Sequence, residues 1–115
     1  MRFLDLNHIL DRIGSDFEKD VDFNWSDSLS PGEQQRISFV RLFHHKPLLA
    51  ILDESTSAVS LEMERKIYSE CKRLKITLIS CGHRQSLREY HSLVLNVFEN
   101  QNNDSVSNRY TIENL

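Results

Sequence analysis

Apolar residues recur along this chain in two rhythms, one helical and one of short unbroken runs. Phe3, Leu6, Ile9, Leu10 and Ile13 stand three and four apart, which places them on one face of a short helix ending near Gly14. From 15 to 27 the residues are mostly polar and acidic, with Phe17, Val21, Phe23 and Trp25 loosely alternating. That spacing predicts an ordered connector, with Trp25 as its anchor. Ser30, Pro31, Gly32 and Glu33 then fit the N-cap, N1, N2 and N3 positions of a helix, with Ser30 and Glu33 capping each other's amides. The helix is predicted over 31–45 and stops before Pro47. The run LLAILD at 48–53 is short, apolar and uninterrupted, as expected of a strand buried on both faces of a parallel sheet.

The same alternation continues to the end. Ser60 reads as a second cap, and Leu61, Glu64, Ile67, Cys71 and Leu74 lie at helical spacing behind it. A second buried strand is predicted at 76–81, a short helix around 86–90, and a further strand of the same sheet at 93–98. Residues 99–108 are nearly all turn formers, and 109–112 return as an antiparallel edge strand. Helices alternating with buried strands define an α/β fold: a mostly parallel sheet with flanking helices.

Composition excludes more than it selects. The 115 residues suffice for one domain, and 39% hydrophobic with 27% charged content is ordinary for a globular chain. A net charge of -3 with both signs interspersed offers no basic patch, so nucleic acid is not an expected partner. No stretch approaches the roughly 18 consecutive apolar residues of a membrane span, and MRFLDLNHIL carries acids where a signal peptide is apolar. Cys71 and Cys81 form neither a metal-ligand spacing nor a disulfide framework and fit packing roles in a reducing compartment.

Two segments carry candidate chemistry. In LLAILDE an apolar strand delivers Asp53 and Glu54 to its carboxyl end, the edge at which open α/β sheets bind ligands. Such a pair can divide its work, one carboxylate holding hydrated Mg²⁺ and the other polarising a water for attack on phosphorus; the bland alternative is a strand ending in solvated acids. The second segment is Leu29-Ser30-Pro31-Gly32-Glu33, where free amides and the helix dipole could meet an anion, or simply a well-capped helix begins.

In order along the chain, LSPGEQQR, LLAILDE, STSAVS and SCGHR closely resemble the signature motif, Walker B motif, D-loop and switch histidine of ATP-binding-cassette (ABC) ATPases. The resemblance runs from about Trp25 to Val97 and implies the C-terminal part of a P-loop NTPase fold of the ABC type. It implies ATP and Mg²⁺ as cofactors, Asp53 as the metal-serving aspartate, Glu54 as general base and His83 as the residue reaching the γ-phosphate. Ser30, Gly32, Glu33 and Ser57 are implied as nucleotide contacts, with Ser30 and Gly32 facing ATP held by an opposite protomer. His8, His44, His45 and His91 are given no such role. SPGEQQRISFVRLFHHKP, DESTSAVS and GHRQSLREYHSLVL further resemble subfamily D, the half-transporters that move acyl-CoA thioesters or cobalamin. The implied partners are a second nucleotide-binding domain, in a homo- or heterodimer, and a transmembrane domain. The implied location is the cytosolic face of an organelle membrane, the peroxisome first, with lysosome and endoplasmic reticulum as alternatives.

Departures from the family pattern shape the remaining expectations. No G-x-x-x-x-G-K-[ST] run occurs, so these residues by themselves are expected to hold ATP weakly and to be an inactive portion of a larger ATPase. The chain is therefore read as one partial nucleotide-binding domain over 1–115, without the phosphate loop or the transmembrane part. Pro31 has no amide hydrogen to donate, and Ser60 stands where many ABC D-loops carry aspartate. A sheet lacking its N-terminal strands is expected to expose apolar surface and to associate. Two other functions stay open at this point: the C-terminal half of a chromosome-maintenance or DNA-repair ATPase head, and a non-catalytic module that donates only its signature face.

Overall fold

The computed structural model describes residues 2–13, 25–97 and 110–115. The chain divides into two compact units, Met1–His83 and Arg84–Leu115. The expectations placed on 15–24, on the Trp25 side chain and on 99–108 lie outside the described residues.

The first unit opens with a 3₁₀ turn at Arg2–Leu4, followed by helix α1 at Asn7–Ile13. The single helix expected from Phe3 is broken at Asp5, whose φ of 53° is left-handed. Of the expected stripe Leu6 and Ile9 are buried, whereas Phe3 is exposed and Leu4, outside the stripe, is buried in its stead. A short helix α2, Trp25–Ser28, then leads into α3, Pro31–His45. Helix α3 begins as its sequence predicts. Glu33 N donates to Ser30 Oγ at 3.3 Å while Ser30 N donates to Glu33 Oε2 at 2.8 Å, a reciprocal cap that satisfies two otherwise unpaired amides. It ends at left-handed Lys46, whose amide donates to Leu42 O at 2.9 Å, just before Pro47 forbids a further turn.

Strand β1, Leu49–Asp53, pairs in parallel with β2, Thr77–Cys81. The crossover is helix α4, Leu61–Arg73, capped by Ser60, whose Oγ accepts from Met63 N at 3.2 Å. Glu62 and Glu64 in its first turn and Lys72 and Arg73 in its last complement the helix dipole. Its buried stripe is Glu64, Ile67, Tyr68 and Cys71, the i, i+3, i+4, i+7 pattern of an amphipathic helix. Tyr68 reaches the sheet through a 2.9 Å hydrogen bond between its hydroxyl and Ser80 Oγ.

Burial on both faces of β1 is not observed. Ala50 and Leu52 are buried, whereas Leu49 and Ile51 are 51% and 72% exposed. The physical reason is one-sided cover: α4 packs on one face of the pair, and among the described residues nothing covers the other. Ile79, the register partner of Ile51, lies on the same open face and is 54% exposed. The expected exposure of apolar strand surface is thus present.

In the second unit a 3₁₀ helix, Gln85–Tyr90, precedes β3, Leu93–Val97. The expectation that this strand extends the parallel sheet is corrected: among the described residues β3 pairs with β4, Tyr110–Asn114, in a separate antiparallel sheet. An antiparallel pair, unlike a parallel one, needs no crossover helix between its strands. The expected antiparallel return strand is present, at Tyr110–Asn114 rather than 109–112. Among the described residues the architecture is α/β, with one parallel and one antiparallel strand pair.

Candidate functional site

The carboxyl ends of β1 and β2 bring two sequence-predicted residues, Glu54 and His83, together, and Asp53 precedes Glu54 in the chain. Asp53 closes β1, on the exposed face, in register with Cys81. Glu54 follows immediately with a φ of 45°, a left-handed conformation that a non-glycine residue holds only when its surroundings fix it. Its amide donates to Cys81 O at 2.9 Å, which extends the parallel ladder by one bond beyond the strand. From that backbone its carboxylate Oε1 lies 3.4 Å from His83 Nε2. The imidazole is almost fully solvated, with 99% of its side chain exposed, against 44% for Glu54. Water screens a pair this open, so it contributes little to stability.

Ser30, Gly32 and Glu33 form a second cluster, at the start of α3. The Ser30 hydroxyl donates to Glu33 Oε2 at 2.8 Å while accepting the Glu33 amide. Glu33 Oε1 also meets His8 Nε2 at 2.5 Å. The His8 contact first, then the Ser30 amide and hydroxyl, lowers the Glu33 carboxyl to about 2, because each favours the charged form. Glu33 is thereby committed to the cap and to α1, so its implied nucleotide contact would compete with these bonds.

Gly32 lies against the turn that follows Glu54. A Cβ at Gly32 would stand 2.7 Å from Ala58 O, so glycine is required there for the close approach of two backbones. Ser30, Gly32, Ala58 and Ser60 line a cavity of about 760 Å³, together with Arg36 and Lys66. Ser57, the remaining implied contact, accepts a 2.9 Å hydrogen bond from Gln35 Nε2.

The structure also places residues that sequence reasoning did not single out. Gln35 bridges α3 to the turn, Thr56 donates to the buried Glu64 at 2.9 Å, and His8 holds Glu33. Arg36 donates to Leu4 O and Asp5 O, both at 3.3 Å, and so ties the N-terminal segment to α3. Gln35, His8 and Arg36 join elements distant in the chain, Thr56 joins the turn to the next helix, and no local pattern marks them.

Asp53 offers a hard carboxylate oxygen at an open edge, the donor type Mg²⁺ prefers. Among the described residues no three or more His, Cys, Asp or Glu converge on one point. A lone carboxylate suits Mg²⁺, which usually keeps several of its waters and takes one or two carboxylates from a protein. No helix of the described residues is long and apolar enough to cross a membrane.

Comparison with known proteins gives the family. No protein-family model matches the chain. The chain is 48% identical over 97 residues to the human (Homo sapiens) protein named lysosomal cobalamin transporter ABCD4, an overlap of 83% of this chain and 16% of that protein. It is 45% identical over 102 residues to ABC transporter D family member 3 of Dictyostelium discoideum, covering 85% of this chain and 14% of the relative. It is 49% identical over 92 residues to the human ATP-binding cassette sub-family D member 3, covering 80% and 14%. The chain thus spans about a sixth or less of the length of the curated relatives it matches. With its motif order, its α/β fold and this identity across most of its length, the chain belongs to the D family of ABC transporters.

Proposed function

We propose that this chain is the C-terminal part of a nucleotide-binding domain, with a P-loop NTPase fold of the ABC type, that binds and hydrolyses ATP to drive transport across an organelle membrane. The observation that carries the reading is the Glu54 carboxylate 3.4 Å from the His83 ring, at the ends of two adjacent parallel strands, of which β1 closes on Asp53. In this reading Glu54 accepts a proton from the attacking water and His83 meets the γ-phosphate. Asp53 is the Walker B aspartate that takes a share of Mg²⁺, which when bound neutralises charge developing on phosphate oxygens. Ser30 and Gly32 present the start of α3 to nucleotide on a second, similar domain, with Glu33 and Ser57 as further nucleotide contacts. The 115 residues contain no phosphate-cradling G-x-x-x-x-G-K-[ST] run, so turnover requires that loop from elsewhere, together with a transmembrane domain and a second nucleotide-binding domain.

The relatives named as transporters favour transport over chromosome maintenance or DNA repair. The cargo class is acyl-CoA or cobalamin, and the location the cytosolic face of a peroxisomal membrane, with lysosome or endoplasmic reticulum as the alternatives. The test is a segment swap in which residues 25–97 of this chain replace the matching stretch of the full-length human sub-family D member 3. The swapped protein is expected to hydrolyse ATP, and its Glu54→Gln version to bind ATP while turnover falls about 100-fold or more. Undiminished hydrolysis in the Glu54→Gln protein would remove Glu54 from the role of base and the proposal with it.

A further inference from the structure

We infer that Gln35 is a positioning residue for Glu54, a role that rests on the ATP-hydrolysing function proposed above. Gln35 lies in α3, one turn beyond the Ser30 cap. Its side chain reaches across to the turn after β1. Gln35 Nε2 donates to Glu54 O at 3.1 Å and to Ser57 Oγ at 2.9 Å, and Gln35 Oε1 accepts from Ala58 N at 2.9 Å. A carboxamide has two N–H donors and one carbonyl oxygen, and here both ends are engaged. The orientation is unambiguous on chemical grounds. Turning the amide over would set its oxygen against the Glu54 carbonyl and its N–H groups against the Ala58 N–H, two repulsive contacts in place of two bonds.

This contact matters because of the backbone it holds. Glu54 is left-handed at φ 45°, a conformation disfavoured for a residue with a Cβ. It is pinned on one side by its amide bond to Cys81 O at 2.9 Å and on the other by Gln35 at its carbonyl, which also accepts from Ser57 N at 3.1 Å. The peptide planes on both sides of the Glu54 Cα are therefore fixed, and with them the direction of the side chain toward His83. Without Gln35 the carbonyl keeps only the local Ser57 bond, and that plane can rotate. A displaced carboxylate is costly: a misplacement of about 1 Å in a catalytic group can lower turnover about 100-fold.

The same geometry couples two sites. Gly32 and Gln35 both press α3 against the 54–58 turn, Gly32 through the close approach to Ala58 O and Gln35 through its carboxamide. Movement of the start of α3 relative to the sheet is thus transmitted to Glu54. A partner engaging Ser30 and Gly32 would set the base as well as contact the nucleotide.

The experiment uses the segment-swapped transporter with Gln35→Met, which keeps the length and loses all three bonds, and Gln35→Glu, which keeps the acceptor for Ala58 N and loses both donors. Both variants are expected to lower kcat about tenfold or more while the KM for ATP stays within about threefold, since binding and the attacking base would be separated. A merely structural role would move stability, and kcat and KM together. Glu54→Gln is the control. If it abolishes turnover while both Gln35 variants keep the parental kcat, the positioning role is overturned and the proposed function stands. If Glu54→Gln turns over normally, the function itself falls. An independent readout is amide exchange at Ala58 in the 115-residue chain, expected to be about tenfold faster in Gln35→Met; an unchanged rate would overturn the contact on which the inference stands.

Discussion

Gly32 and Ala58 touch backbone to backbone: a methyl group at Gly32 would come within 2.7 Å of the Ala58 carbonyl oxygen. The start of α3 and the turn following the acid pair are therefore one packed element. Gly32→Ala is expected to force them apart and to lower stability by about 1–3 kcal/mol, the usual range for overpacking. Urea unfolding of the two proteins checks this, and an unshifted midpoint would contradict the close approach.

Glu33 carries the clearest pH signature. Its folded value is lowered from the ordinary 4.5 to about 2 by His8 first and by the Ser30 amide and hydroxyl next. A carboxyl lowered on folding stabilises the fold above its unfolded value, and the contribution is lost as pH falls from about 4.5 through about 2. Carbon-detected NMR titration is expected to place the Glu33 midpoint near the lower figure, and His8→Ala to move it upward. A midpoint at the ordinary value would show that the reciprocal cap is not formed.

Thr56 and Glu64 join the same turn to α4 from the other side. The Thr56 hydroxyl donates to Glu64 Oε2 at 2.9 Å, and Glu64 is wholly buried. Thr56→Val keeps the shape and removes the donor, so stability should fall by about 1–3 kcal/mol. Thr56→Ser should recover most of it. Equal midpoints for the valine and serine variants would argue that the hydroxyl is irrelevant.

The two thiols should differ sharply. Cys71 is buried, and burial first, with Glu70 adding, raises it to about 11, whereas Cys81 is exposed. Iodoacetamide near pH 8 is expected to modify Cys81 and spare Cys71 in the folded chain, because the thiolate is the reactive form. Peptide mass spectrometry reads the outcome, and early modification of Cys71 would show that α4 does not pack as described.

Ile51 and Ile79 sit opposite each other on the uncovered face of the parallel pair, 72% and 54% exposed. Apolar surface of this kind drives association. Sedimentation of the isolated chain is expected to show mass rising with concentration, and Ile51→Lys with Ile79→Lys to suppress it. A sharp cooperative melt of a monodisperse monomer in the parent chain would contradict the expectation.

Helix α3 was legible in sequence almost to the residue, because both its ends are written locally: a Ser30–Glu33 capping pair and a proline beyond the last turn. The stripe of α4 was legible for the same reason, and β4 was legible because a run of turn-forming residue types precedes it in the sequence. The partner of β3 was not. An apolar run of five or six residues reads alike whether it extends a parallel sheet or closes an antiparallel ladder. Equally, β1 reads as a strand buried on both faces, but alternate burial depends on which elements cover it.

The sequence by itself determined the α/β class, the helix ends and the residues from which a site could be built, since caps, periodicity and motif order are properties of neighbours in the chain. Only the tertiary structure decided how those residues meet. The left-handed Glu54 reaching His83, the glycine under the Ala58 carbonyl, and Gln35 spanning from α3 to the turn are contacts between segments about 20 to 30 residues apart. A hydrogen bond or a close backbone approach over such a separation leaves no periodic trace, because it depends on the relative placement of two packed elements rather than on the preference of either one.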